Sequence, residues 1–210
     1  MTTSRDIILG RVRRNQPAWR ELPQVPDFAR PLADPLASFA AALKRMGGTL
    51  AEAPSGGSLY QFLRARFPEA RVICSATAEV EGTRPIEAVR HPADLDDVDV
   101  GVVRAVFGVA ETGSVWLSER EFGINALGFL SQHLVVLLDP ASIVANLHDA
   151  YRQRGFFEAR YAVLMTGPSA TADIEGVLIR GAQGIRSLTV IPVAAPGAAA
   201  GAKVQTRRTP

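Results

Sequence analysis

Three places in the chain hold residues whose types and spacing suit chemistry on a small anionic ligand. At Ala110-Glu111-Thr112-Gly113-Ser114, a carboxylate stands beside two hydroxyls in a glycine-containing turn. Glu111 there could serve as a general base, or as a nucleophile toward an activated acyl group, with Thr112, Gly113 and Ser114 around the ligand. A solvated turn carboxylate is the competing reading. The second place is Gly167-Pro168-Ser169-Ala170-Thr171, between an apolar run and a helical pattern at Ile174, Val177 and Leu178. A helix starting there would aim free backbone N–H groups and its dipole at a carboxylate or phosphate, with Ser169 and Thr171 adding hydroxyls. Simple helix capping by Ser169 or Thr171 competes, because Asp173 and Glu175 also satisfy the dipole. The third is His133, which opens an apolar run and is the best general acid or base among His91, His133 and His148; a core-edge histidine is its plainer explanation. No histidine pair has metal-ligand spacing, so no metal site is expected.

Composition removes whole classes. The one cysteine, Cys74, cannot make an intrachain disulfide, a cysteine-rich zinc site or a Cys-ligated iron–sulfur cluster. It lies in Arg71-Val72-Ile73-Cys74 and reads as a buried, inert thiol. Phosphate-loop, dinucleotide, zinc-protease and serine-hydrolase signatures are absent from the sequence. With Lys44 and Lys203 the only lysines, a Schiff-base enzyme is not expected. Five arginines against Asp6 occupy residues 1–20, and five basic residues with no acidic one follow Glu175, so a net charge of +2 leaves −7 over residues 21–175. That balance argues against a nucleic-acid-binding body. No run approaches the length of a membrane span, and the N-terminus is polar and basic, so a soluble, cytoplasmic protein is expected.

The elements that must position these residues alternate. Residues 3–15 read as a short basic helix, and Pro17, Pro23, Pro26, Pro31 and Pro35 then break the chain into an arm, so 1–34 stands apart. Asp34 and Pro35 open a helix with Leu36, Phe39, Ala40, Leu43 and Met46 on one face and Gly47-Gly48 at its end. Strand is expected over 49–52, helix over 58–67, strand over 71–75, and strands within 98–118 with an antiparallel hairpin over 106–117. His133–Leu138 reads as a buried strand, Asp139-Pro140 as the start of a helix bearing Ile143, Val144, Leu147, Ala150 and Tyr151, and 161–166 and 188–193 as further strands. Residues 194–210 read as a disordered tail. Alternation of this kind predicts an α/β domain over 35–193, its mostly parallel sheet covered on both faces, with ligands at the carboxyl ends of the strands.

AETGS at 110–114, LVVLLDPASIVANL at 134–147 and TGPSATADIEGVLIRGAQG at 166–184 together resemble the LUD domain, the lactate utilisation protein C family. The resemblance implies a three-layer α/β/α fold similar to the sugar-phosphate isomerase and CoA-transferase group. It also implies an accessory or substrate-handling role in oxidising L-lactate to pyruvate beside iron–sulfur partner proteins, with no cofactor in this chain. The positions it carries over are Glu111, Thr112, Gly113 and Ser114, with Gly167, Ser169, Thr171, Asp173 and Glu175. Members of the family usually carry a basic residue where this chain has Ala170, and often Gly-Val-His-Gly-Pro where it has Gly181-Ala182-Gln183-Gly184-Ile185; a proline commonly stands at Leu130. A clamp for carboxylates and a titrating group are therefore replaced. Two alternatives follow from the residues: an independent enzyme on an anionic nucleotide, folate or CoA thioester, or a noncatalytic interaction module whose arm and tail dock a partner. An arm of this kind also allows a homodimer.

Overall fold

The three longest helices start on polar caps, and the computed structural model, which describes residues 3–26, 31–52, 54, 56–173 and 175–196, shows them in place. Thr3 and Asp6 cap each other reciprocally at α1 (Ser4–Arg14), none of whose residues is buried. Asp34 accepts a bond from Ala37 N at 2.9 Å, with Pro35 at the first position, to open α2 (Pro35–Arg45). After β1 (Thr49–Leu50), Ser58 and Gln61 form a second reciprocal cap for α3 (Leu59–Arg66). The chain continues through β2 (Ile73–Ser75), β3 (Arg84–Pro85), β4 (Val100–Arg104), β5 (Phe107–Val109) and β6 (Ser114–Ser118). Two one-turn helices, α4 (Glu119–Phe122) and α5 (Leu127–Leu130), lead to β7 (His133–Leu138) and β8 (Ile143–Val144). Helices α6 (Leu147–Tyr151) and α7 (Arg154–Glu158) precede β9 (Ala162–Met165), β10 (Ala170–Thr171), β11 (Ile179–Arg180) and β12 (Ser187–Pro192).

The central sheet has six strands in the order β1-β12-β7-β4-β2-β3, every pair parallel. Its pleat sorts side chains by alternation. From β7, Leu134, Val136 and Leu138 join Phe39 and Leu43 of α2, Phe122 of α4 and Leu127 of α5 on one face. Val135 and Leu137 point the other way, into a cluster with Val100, Val102 and Leu63 of α3. Helices thus cover both faces, a three-layer α/β/α arrangement. Phe39 and Leu43 are fully buried, each contributing about 1.5–3 kcal/mol of transfer free energy.

A second sheet of four strands, in the order β8-β5-β6-β9, adds to what the alternation of elements predicts. The hairpin expected over 106–117 is its centre, pairing Phe107 with Trp116 and Val109 with Ser114. Val115 and Leu117 face the main core, while Phe107, Val109 and Trp116 face α6 and α7. Two expectations are corrected. The helix expected from Asp139 is a short 3-10 turn, Pro140–Ser142, followed by β8; Ile143 and Val144 pair with Gly108 and Val109, as β-branched residues at a sheet edge do. Helix begins only at Leu147, capped by Asn146. The helix expected after Thr171 is not built either: β10 and β11 form an antiparallel hairpin pairing Ala170 with Arg180. Ile174 and the tail from residue 197 lie outside the described residues. Among those described, no helix is long and apolar enough to cross a membrane.

Candidate functional site

The carboxyl-terminal end of α2 is where the two loop motifs meet. Gly113 adopts φ +69°, and a Cβ there would lie 2.1 Å from the backbone N of Leu43 and 2.7 Å from the carbonyl carbon of Ala42. Only glycine satisfies both the left-handed backbone and that approach. A Cβ at Gly167 would lie 2.7 Å from the carbonyl oxygen of Met46, so the second motif is seated on the last turn of the same helix. Hydroxyls connect them: Thr112 Oγ1 and Ser114 Oγ are 2.7 Å apart, and Ser114 Oγ is 2.7 Å from Thr166 Oγ1. Ser114 is buried at 3% exposure, so this chain of hydroxyls is shielded from water at its middle.

Thr166 opens onto a cleft of about 450 Å³ bounded by Phe129, Gly167, Ser169, Gln183 and Ile185. Gln183 and Ile185, from the Gly181–Ile185 segment, therefore share one cleft with Ser169. Its lining, among the described residues, offers hydroxyl and amide groups but no charge. Among the described residues no helix starts after Thr171, so the expected helix-dipole cradle is not formed. Residues 167–171 border the carboxyl end of α2, which carries partial negative charge, and Arg180 answers it by donating from Nη2 to the carbonyl oxygen of Arg45 at 3.3 Å. Ser169, Asp173 and Glu175 are exposed, Thr171 is half-buried, and Thr171 Oγ1 accepts from Asp173 N at 3.2 Å.

Glu111 is exposed, and its position is set by another element. Its Oε2 accepts from Leu147 N at 3.0 Å, while its own N–H donates to the carbonyl oxygen of Ala145 at 3.0 Å. The carboxylate thus caps the first turn of α6 alongside Asn146. His133 lies apart, at the amino end of the central sheet. Its Nδ1 is 2.8 Å from Ser187 Oγ and its ring centroid 4.9 Å from that of Phe67. Burial, then the positive charge of Arg186, hold its pKa below the usual 6.5 against the opposing effect of Asp99. Among the hydrogen bonds of the described residues, none joins His133 to Glu111. Cys74 is fully buried, and burial pushes its thiol up to about 11, which keeps it protonated. Among the described residues no three His, Cys, Asp or Glu side chains gather as a metal site would require.

Comparison with known proteins decides the family. The model of the LUD domain matches residues 87–193, half of the chain. The chain belongs to the LUD domain family. The matched stretch holds both motifs and every strand from β4 to β12. Lactate utilization protein C of Deinococcus radiodurans is 30% identical over 104 residues, 48% of this chain and 49% of the relative. The chain thus spans about half the length of the curated relative it matches. A crystal structure of a DUF162 family protein from Deinococcus radiodurans superposes with a TM-score of 0.57 at 18% identity, covering 76% of this chain and 96% of that one. That likeness shows a shared fold over about three quarters of the chain, beyond the matched stretch.

Sequence reasoning did not find the role of Thr166, the importance of the α2 terminus, or the charged pair at the carboxyl end of the central sheet. There Arg104 Nε and Nη2 engage the two carboxylate oxygens of Glu79. A signal existed: Arg104 ends the apolar run Val100-Gly101-Val102-Val103, where a cation has no packing purpose.

Proposed function

We propose that this LUD domain chain works in the oxidation of L-lactate to pyruvate, as an accessory or substrate-handling subunit beside iron–sulfur partner proteins. The observation that carries the reading is the 30% identity over 104 residues to a protein named lactate utilization protein C. Cysteine use supports the division of labour, since a Cys-ligated cluster takes several thiolates and this chain has one cysteine, fully buried. Electrons leaving lactate then travel through clusters in the partners. Within that role, Glu111 and the Thr112–Ser114–Thr166 hydroxyls lie on the ligand side of the chain's work, and the neighbouring cleft takes the small molecule.

Growth of the source organism on L-lactate as sole carbon source, with the gene deleted and restored and with glucose as control, tests the reading. The expected result is a lactate-specific defect rescued by the wild-type gene and not by Glu111→Gln. Full growth on lactate without the gene counts against the role, and rescue by Glu111→Gln reduces Glu111 to a helix cap.

A second reading, docking through the N-terminal arm, is favoured by one observation. Trp19 and Leu22 are 86% and 87% exposed, and Ile7, Ile8 and Val12 of α1 are exposed as well. Apolar side chains left in water on a basic arm suit an acidic or apolar partner surface. Removing residues 1–33 then abolishes association with the partner and leaves the melting temperature of the α/β domain unchanged.

A further inference from the structure

We propose that Arg104 is the carboxylate-binding group of a ligand site at the carboxyl ends of β2 and β4, and that Glu79 is a built-in counter-ion which a small carboxylate displaces. Topology makes the place. From β2 the chain turns outward to β3, whereas from β4 it leaves through the second sheet and returns as β7 on the opposite side. Adjacent parallel strands whose connections part in this way leave a crevice at their carboxyl ends, the usual ligand position in open α/β sheets. Glu79, on the loop after β2, and Arg104, the last residue of β4, meet across it.

The pair has the properties of an occupied carboxylate site. Arg104 presents its Nε–Nη2 edge to both oxygens of Glu79, the fork geometry that also fits a ligand carboxylate. Its remaining Nη1 donates to the carbonyl oxygen of Val193 at 3.2 Å, which holds the guanidinium plane without help from Glu79. Glu79 is tied less firmly: its other side-chain bond comes from Thr77 Oγ1, two residues away on the same loop, at 3.2 Å. The side chains of Arg104 and Glu79 are 19% and 17% exposed, deep enough for the pairing to matter and open enough for exchange.

Space for the displaced Glu79 side chain lies alongside. Glu79 borders a cleft of about 520 Å³ shared with Ser58, Tyr60 and Glu81, and the other flank of its loop borders one of about 460 Å³ with Ser75, Thr77, Glu81 and Glu87; Arg104 lines neither, so the incoming carboxylate takes the place that Glu79 vacates. Val80, 3% exposed, anchors the loop in the core, so rotation of the Glu79 side chain suffices. Swapping one carboxylate for another leaves no buried charge unpaired, and Glu79 passes into water. The inference does not depend on lactate being the substrate.

Binding of pyruvate, acetate and inorganic phosphate to the purified full chain, measured by calorimetric titration at constant ionic strength, tests it. Glu79→Gln keeps the size of the side chain and removes the competing charge. It is expected to bind pyruvate and acetate roughly tenfold more tightly than the wild type, with a smaller gain for tetrahedral phosphate. Adding Arg104→Gln is expected to abolish that binding; Arg104→Lys, which keeps the charge but not the fork, is expected to weaken it and serves if the glutamine variant does not fold. Glu79→Gln binding carboxylates no better than the wild type overturns the proposal. So does binding undiminished by either Arg104 substitution, or a gain for phosphate equal to that for carboxylates. A growth result on lactate of either sign leaves these outcomes separate.

Discussion

A Cβ added at Gly113 meets the backbone N of Leu43 at 2.1 Å, whereas one added at Gly176 meets nothing within 4 Å, although their φ angles are +69° and +70°. Both glycines belong to loops of small residues, hydroxyls and an acidic side chain: Ala110-Glu111-Thr112-Gly113-Ser114 in one case, the β10–β11 hairpin in the other. The first loop is held by α2 from above and by Ser114 and Thr166 from the side. The second exposes Asp173, Glu175, Val177 and Leu178 and reaches α2 through Arg180. Packing therefore explains the glycine and serine of the first loop, while in the hairpin only backbone conformation is explained, and any function the hairpin has is exercised at the surface.

The largest effect expected from this contrast is at the glycines. Gly113→Ala combines left-handed strain with a clash against helix backbone and is expected to cost about 2–5 kcal/mol. Gly176→Ala carries the strain alone, about 1–2 kcal/mol. Urea denaturation of the two variants measures both, and equal losses would break the distinction between a packed loop and an open one. Next in size is the serine pair. Ser114→Ala leaves Thr112 and Thr166 without their shared partner and is expected to cost about 1–3 kcal/mol, whereas Ser169→Ala, at an exposed hydroxyl, stays within about 0.5 kcal/mol.

How far the sequence could be read follows the same division. Elements whose signals are local were legible: the Asp34–Pro35 cap of α2, the strand His133–Leu138 and the 106–117 hairpin all formed where their residues point. Where an apolar stripe fits helix and strand alike, tertiary pairing decided; Ile143 and Val144 became an edge strand because β5 was there to receive them. The hairpin at 170–180 carries helical spacing in Ile174, Val177 and Leu178, yet Val177 and Leu178 are exposed, at 61% and 59%, and no core draws that face inward. At the site, the motifs were found but their company was not. No local pattern says that Gly113 and Gly167, more than fifty positions apart, rest on one helix end, or that Glu79 crosses to Arg104.

Arg180 sharpens the comparison at lower cost. It is the hairpin's hydrogen bond to the carboxyl end of α2, and its side chain also lies 3.0 Å from the Cβ position of Gly47. Arg180→Ala is expected to lower global stability by no more than about 0.3–1 kcal/mol, since the bond is exposed. Amide hydrogen exchange is the better readout. Faster exchange confined to 170–181, with the strands of the central sheet unchanged, marks the hairpin as a unit that opens on its own. Exchange that also quickens in α2 would show the two moving together and weaken the contrast.

The smallest effect expected lies at the other end of the central sheet, in neither loop, and gives the baseline against which they are read. His133 has its pKa held below 6.5, chiefly by burial and then by Arg186. The native state therefore favours the neutral ring, and as pH falls through 6.5 the unfolded chain takes up a proton first. Stability is flat above that value, declines below it, and levels off once the native ring is protonated too. The carboxyls of Asp94, Asp97 and Glu119, kept low by hydrogen bonds to their neighbours, titrate beneath this window and do not obscure it. His133→Gln can still bond to Ser187 but has nothing to titrate, so its melting temperature is expected to hold steady from about pH 7.5 to about pH 5.5 while that of the wild type falls. Parallel curves would mean that the ring is protonated as readily in the folded chain as in the unfolded one; divergent curves mean that the fold holds the ring in its neutral form, the form a general base needs, so His133 and Glu111 are then separated by their effects on activity and not by their effects on stability.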